Sequence, residues 1–251
     1  MPSIYRNPSI LLESIENWLE AKLRSSGNKG GIVGLSGGID SAVVAAILNR
    51  VCGKRMMTVI MPCHSNPQDR LDAELVVRRF GLPSVVVDLT EAYDSMLKAL
   101  PPPEGTAGQM ARANLKPRLR MNTLYFLAQQ GGFLVCGTGN RVELTVGYFT
   151  KYGDSGVDLL PLGDLLKGEV RSLASLLEIP APVIDKPPSA GLWQGQTDEG
   201  EMGVTYEELD RYIARGEGHE KVREFVESSR ARSEHKRSTP PICRIGLTKQ
   251  A

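Results

Sequence analysis

The residues with the plainest chemical potential are Ser36, Gly37, Gly38, Asp40 and Ser41, in the run GIVGLSGGIDS at residues 31–41. Ile32, Val33 and Leu35 form a short apolar run, the pattern of a strand buried on both faces. The run AVVAAIL that follows Ser41 opens an apolar helix. A strand, a glycine turn and a helix N-terminus together make an anion site. Glycine permits positive φ and close backbone approach, and the free N–H groups of the first helical turn point at the anion. Ser36 and Ser41 add hydroxyl donors to the same oxygens. Asp40 is the odd member, because a carboxylate beside phosphate is repulsive unless a cation lies between them, and it therefore points to Mg²⁺. Capping of a helix by Asp40 or Ser41, with glycines that merely turn the chain, is the simpler role for the same residues. The pattern is not a P-loop, since no Gly-Lys-Ser/Thr follows, and no G-x-G-x-x-G occurs in the chain.

A second turn of the same kind stands at residues 137–143, where Gly137, Thr138, Gly139, Asn140 and Glu143 follow the apolar run GFLVC. Two glycine-bearing strand-to-helix turns suggest two sides of one nucleotide site. Taken alone, Glu143 is equally a first-turn helix acid favoured by the helix dipole.

The elements that must position these turns follow from hydrophobic periodicity. Leu11, Ile15, Trp18, Leu19 and Leu23 share one face of a helix over residues 8–26 that ends at Gly27. Strands are expected at the opening run, at 57–61 (MTVIM), 84–88 (SVVVD) and 132–136, with helices from the glycine turn to about residue 51 and over 69–80. Strand–helix alternation means an α/β fold with a doubly wound, mainly parallel sheet flanked by helices, and ligands in such sheets bind beyond the carboxyl ends of the strands. The loop at residues 62–67 (PCHSNP) would share that end with the Ser36–Ser41 turn. A long helix is expected over 106–129, kinked or restarted at Pro117. Arg112, Lys116, Arg118 and Arg120 make its first half basic, which reads as a solvated face.

Bulk properties exclude several classes. The chain has 251 residues and a net charge of +1, ample for one hydrophobic core and offering no electrostatic case for nucleic acid or an acidic membrane. Cys52, Cys63, Cys136 and Cys243 show no C-x-x-C pair or metal-ligand spacing, so buried free thiols in a reducing cytosol are expected. No apolar run approaches about 18 residues, and the first residues lack a signal-peptide pattern, so a cytoplasmic protein is expected.

The Ser-Gly-Gly-x-Asp-Ser turn resembles the pyrophosphate loop of the N-type ATP pyrophosphatases. The downstream segments ANLKPRLRM, GTGNRVELTVGYFTKYGDSGVDLLPLGDLLKGEV, PPSAGLWQGQTDEGEMGVTYEELD and SEHKR are similar, in order and spacing, to the NAD synthetases within that superfamily. No nitrilase-like glutaminase segment is present, so the resemblance is to the short, ammonia-dependent form. It implies an adenine nucleotide α-hydrolase-like, Rossmann-like fold in a single domain over 1–251. A nucleotide-binding core would occupy about 28–180, and a lid and helical tail about 181–251. It also implies a ligase that adenylates the nicotinate carboxylate of deamido-NAD with ATP, releases pyrophosphate and lets ammonia displace AMP.

By the same resemblance, ATP is held by Gly34, Leu35, Ser36, Gly37, Gly38, Ile39, Asp40, Ser41, Thr138, Lys167 and Ser189, and Mg²⁺ by Asp40 and Glu143. Deamido-NAD meets Arg118, Lys151, Asp158, His235 and Lys236. Asp40, Glu143 and Lys167 are the expected catalytic set, joined by Asp154 as a group that holds or deprotonates ammonium. The stretch 190–203 has the composition of a lid, with Trp193 as its apolar anchor. The resemblance further implies a homodimer, for which apolar residues around 119–126 could serve. Pro117 and Gly191 depart from the family pattern, in a helical run and at a position where aspartate is common. A tRNA-thiolating pyrophosphatase would bring cysteine pairs and a basic RNA surface, and this chain has neither. A nucleotide sensor would not need Asp40, Glu143 and Lys167 together. A synthetase subunit fed by a separate glutaminase fits the same residues.

Overall fold

The computed structural model describes residues 3–189, 191 and 195–243. Trp193, and with it the middle of the expected 190–203 lid, lies outside the described residues. Four parallel strands form one sheet in the order β3-β2-β1-β4, where β1 is Gly30–Gly34, β2 Met56–Ile60, β3 Ser84–Val86 and β4 Phe133–Val135. Ile32 lies opposite Met57 on one side and Val135 on the other. Because side chains alternate along a strand, Val33 and Ile60 enter one apolar layer while Ile32 and Val59 enter the other. The first layer is closed by α1 (Pro8–Ser26), α2 (Ile39–Cys52), α3 (Pro67–Phe80) and α7 (Lys167–Leu176), the second by α4 (Thr90–Ala99) and α5 (Gly105–Gly131). Helices on both faces of a parallel sheet make the expected doubly wound architecture.

The structure adds to or corrects these expectations at several places. The third strand is an exposed edge, with Val85 and Val86 36% and 41% accessible, so its valine run does not mark a buried strand. Helix α4 was not anticipated. Helix α5 is one 27-residue helix that continues through Pro117. Pro117 is buried, and a Cβ placed on Gly153 would lie 3.1 Å from its ring. Packing therefore holds the helix across a residue that cannot donate to it. The basic half of α5 is only in part a solvated face: Lys116 is buried and Arg120 half-buried, while Arg112 and Arg118 are exposed. Cys52, Cys63 and Cys136 are buried free thiols as expected, whereas Cys243 is exposed.

Beyond the sheet, α6 (Arg141–Val146) joins α9 (Asp198–Met202), α10 (Tyr206–Arg215) and α11 (Glu220–Arg232) around a separate apolar cluster that includes Val142, Met202, Leu209 and Val226. That cluster seats the C-terminal helices over the carboxyl end of the sheet. No helix among the described residues is long and apolar enough to cross a membrane.

Candidate functional site

The Ser36–Ser41 turn leaves β1 and enters α2 with Gly38 at the N-cap, and no side chain caps that end. Its first amides are therefore open to a ligand rather than consumed by a cap. Gly37 has φ +81°, and a Cβ there would lie 2.2 Å from the Asp69 carbonyl oxygen, so both conformation and packing demand glycine. The two serines brace the turn. The Ser36 amide donates to Ser41 Oγ at 3.2 Å, the Gly38 amide donates to Ser36 Oγ at 3.2 Å, and the Ser41 hydroxyl donates to the Gly38 carbonyl at 2.9 Å. Leu35 and Ile39 are buried beneath the turn, and Gly34 ends β1.

The second turn, after β4, carries a capping box. The Glu143 amide donates to Asn140 Oδ1 at 3.1 Å, and the Asn140 amide returns a bond to Glu143 Oε2 at 3.0 Å. Asn140 also reaches across to the first turn, its Nδ2 donating to Asp40 Oδ1 at 3.0 Å. This one residue ties the two glycine turns together. Its spacing from Glu143, N-x-x-E before an apolar run, was readable in the sequence as a cap but not as a bridge.

Lys167 completes the group from a third place, the first residue of α7. Its ammonium lies 2.5 Å from Asp40 Oδ2 and 4.0 Å from Glu143 Oε1, with the lysine side chain only 3% exposed. Burial works against that charge, but Asp40 and Glu143 outweigh it and hold the lysine pKa above its ordinary value. Burial, reinforced by the nearby Asp40 charge, pushes the Glu143 carboxyl up to about 8. Helix α10 grips the lysine from behind. The Tyr206 ring lies 4.9 Å from the ammonium, and Asp210, one turn later, accepts the Lys167 and Gly168 amides at 2.9 and 2.8 Å. The Tyr206 hydroxyl donates to Asp198 at 2.9 Å, so helix α9 is tied to the same cluster. Asp198, Tyr206 and Asp210 went unread in the sequence, because a cation–π pair and a cap supplied by another helix leave no local signature.

Among the described residues no group of three or more His, Cys, Asp or Glu side chains is placed to hold a metal. Asp40 and Glu143 nonetheless converge on one point with hard oxygen donors. That fits an ion that takes its remaining ligands from phosphate and water, as Mg²⁺ does.

Of the residues expected to meet the dinucleotide, Lys151, His235 and Lys236 are brought together by hydrogen bonds. Lys151 donates to the His235 carbonyl, and Lys236 donates to the Gly147 and Phe149 carbonyls at 2.7 and 2.8 Å. The tail thus folds back onto the loop that carries Lys151 and Asp154. Burial raises the Asp154 pKa, and its carboxylate accepts the Thr150 amide at 2.8 Å. Asp158 has both oxygens engaged, by the Val135 amide at 2.8 Å and the Tyr125 hydroxyl at 3.0 Å. It therefore anchors the loop to β4. Arg118 is exposed on α5. Thr138 is half-buried in the second turn, and exposed Ser189 accepts the Gly191 amide at 3.1 Å. Arg120, passed over as one of a basic run, enters the interior: Nε donates to the Met61 carbonyl and Nη2 to Ser65 Oγ, both at 3.2 Å.

A glycine turn open to an anion and a convergent acid pair with a buried lysine are parts an ATP-dependent ligase could use, and the chain as a whole is similar to known proteins. The family model described as NAD synthase matches residues 11–240. An "NH(3)-dependent NAD(+) synthetase" from Syntrophomonas wolfei is 47% identical over 246 residues, which cover 95% of this chain and 97% of that protein. The solved structure of NMN synthetase from Francisella tularensis superposes with a TM-score of 0.90 at 36% identity, covering 96% of this chain and 100% of that one. An NH3-dependent NAD synthetase from Campylobacter jejuni gives 0.78 at 27% identity, with 95% and 100% covered. On the family match and these full-length similarities, the chain belongs to the NAD synthase family.

Proposed function

We propose that this chain converts deamido-NAD to NAD by ATP-dependent adenylation of the nicotinate carboxylate, followed by displacement of AMP by ammonia. The observation that carries the reading is the meeting of Asp40, Glu143 and Lys167 beside the Ser36–Ser41 cradle, two from strand-to-helix junctions and the third from the start of α7. A carboxylate is a poor acyl donor, and adenylation supplies its leaving group. The turn amides and the serine hydroxyls receive the departing pyrophosphate, and Lys167 supplies a mobile cation toward its charge. Asp40 and Glu143 would hold Mg²⁺, which when bound neutralises phosphate charge as a Lewis acid. Thr138 and Ser189 add hydroxyl donors to ATP. Arg118, Lys151, His235 and Lys236 face the dinucleotide, and Asp158 holds their loop in place. Asp154, kept weakly acidic by burial, receives a proton from ammonium or holds it.

Exposed Phe126 on α5 supports a homodimer seated on that helix. A cytoplasmic location is part of this reading. A second reading is favoured by the likeness to the Francisella structure: the mononucleotide, nicotinic acid mononucleotide, as the acceptor of ammonia.

The test is product analysis with ATP, Mg²⁺, ammonium and each deamido nucleotide. NAD, AMP and pyrophosphate are expected from deamido-NAD, and glutamine in place of ammonium should leave the chain nearly inactive. Formation of ADP and phosphate overturns the reading, and turnover of the mononucleotide alone selects the second. Asp40→Ala should abolish turnover with the fold intact, and full activity in that variant refutes the metal assignment.

A further inference from the structure

Arg120 is a cation that the reaction above leaves unused. It sits half-buried on α5, and burial depresses its pKa below the ordinary arginine value. An arginine withdrawn from water is normally paired with a carboxylate, because an unpaired charge out of water costs several kcal/mol. No carboxylate lies within ion-pair distance of Arg120 among the described residues. Its two hydrogen bonds go to neutral acceptors, the Met61 carbonyl and Ser65 Oγ, from Nε and Nη2. Nη1 makes no hydrogen bond among the described residues. Every fully enclosed side-chain nitrogen and oxygen there does have a partner, so Nη1 opens onto accessible space.

The surroundings identify that space. The carboxylates that act on the guanidinium from a distance include Asp154 and Asp69. Asp69 packs against Gly37 of the pyrophosphate cradle, and Asp154 belongs to the loop that carries Lys151. Its bonds to Met61 and Ser65 hold Arg120 at the carboxyl end of β2, the strand beside β1, and the cradle leaves β1 at that same end. In the proposed reaction the α-phosphorus lies at that end, next to the departing pyrophosphate.

We propose that Arg120 is a further catalytic residue, whose guanidinium binds the α-phosphoryl oxygens of ATP while the nicotinate carboxylate attacks. The inference rests on the function proposed above. In this step a carboxylate oxygen bonds to the α-phosphorus. The bond from that phosphorus to the bridging oxygen breaks, and pyrophosphate leaves with the electron pair. No proton moves. Charge on the non-bridging oxygens is met by a planar donor fork already partly desolvated, a condition that strengthens such a contact.

A purely structural Arg120 would instead staple the 62–67 loop to α5, and stability separates the two roles. The test compares wild type, Arg120→Met and Arg120→Lys by deamido-NAD-dependent exchange of pyrophosphate into ATP and by thermal unfolding. Arg120→Met is expected to lose about 10²–10³-fold in exchange, as when one oxyanion donor is removed. Its Tm should stay level or rise, since an unpaired half-buried charge is gone. Arg120→Lys, which keeps the charge without the fork, should fall between the two, and KM for ammonia should be unchanged because ammonia joins after this step. Exchange by Arg120→Met within about threefold of wild type overturns the inference. So does a fall in Tm with exchange tracking the folded fraction, and so does a lysine variant no better than the methionine one. Absence of exchange in the wild type would sink the functional reading itself.

Discussion

Replacing Asp210 by asparagine tests whether α10 sets the position of Lys167, to which a role toward the leaving phosphate is proposed. Asp210 is 1% exposed, and its two oxygens accept the amides of Lys167 and Gly168, the first two residues of α7. The N-cap of that helix, Leu166, has no oxygen to offer, so the cap comes from another helix 43 residues away. The Tyr5 hydroxyl lies near the same carboxylate, and the Tyr5 ring lies so close over Gly168 that a Cβ there would sit 2.3 Å from it. Asparagine keeps one acceptor and turns an NH2 group toward an amide donor. The loss is one charge-assisted hydrogen bond, about 1.5–3 kcal/mol, plus the favourable charge at a helix N-terminus, up to about 2 kcal/mol in a buried setting. Burial raises the Asp210 pKa, so desolvation already offsets part of that benefit. The net cost is about 2–4 kcal/mol, a fall in Tm of roughly 5–15 °C for a domain of this size. A displaced Lys167 should also lower kcat by more than about tenfold at temperatures where the variant is folded. Calorimetry with steady-state kinetics reads both effects. A Tm within about 2 °C of wild type, or a stable variant of full activity, would refute the grip.

Gly37→Ala places a methyl 2.2 Å from the Asp69 carbonyl at φ +81°, so ATP binding by calorimetry should be lost and Tm lowered. Arg6→Met strands Glu169, which is 1% exposed and bonded by Arg6 Nε at 2.7 Å. Breaking a buried pair from one side costs about 3–5 kcal/mol, and urea unfolding at pH 7 should show it. Burial opposes the Glu169 charge, but the Arg6 hydrogen bonds prevail and hold its pKa below the ordinary value. A depressed carboxyl contributes stability that is present above its unfolded pKa and lost as pH falls through the folded one. The gap between wild type and Arg6→Met should therefore narrow below about pH 4.5, and a gap unchanged in acid would count against the pair. Asp158→Ala should loosen the 150–158 loop through loss of the Val135 and Tyr125 bonds, which hydrogen exchange at the Val135 amide reads directly.

Local physics was legible in the sequence wherever one element decided its own state. The helix over residues 8–26 was readable from its apolar stripe and from Gly27, which takes the left-handed cap at φ 69°. Both glycine turns were legible because a strand-to-helix junction with no side chain is an anion site by local geometry alone. The sequence was silent or misleading wherever a neighbour decided. Val85 and Val86 have the residue types of a core strand, and only their place at the sheet edge leaves them exposed. Pro117 should interrupt a helix, and only packing against the 150–156 loop carries α5 through it.

The active-site group divides in the same way. Sequence alone determined that Asp40 and Glu143 each open a helix beside a phosphate-sized turn. Tertiary structure decided that Asn140 joins the two turns, that Lys167 lies between their carboxylates, and that Tyr206 and Asp210 hold it there. It also decided that Arg120 turns inward while Arg118, two residues earlier on the same helix, faces solvent. Residues two apart on a helix point about 200° from one another, so which of them is drawn inward is settled by the face that packs, and no spacing in the chain records it.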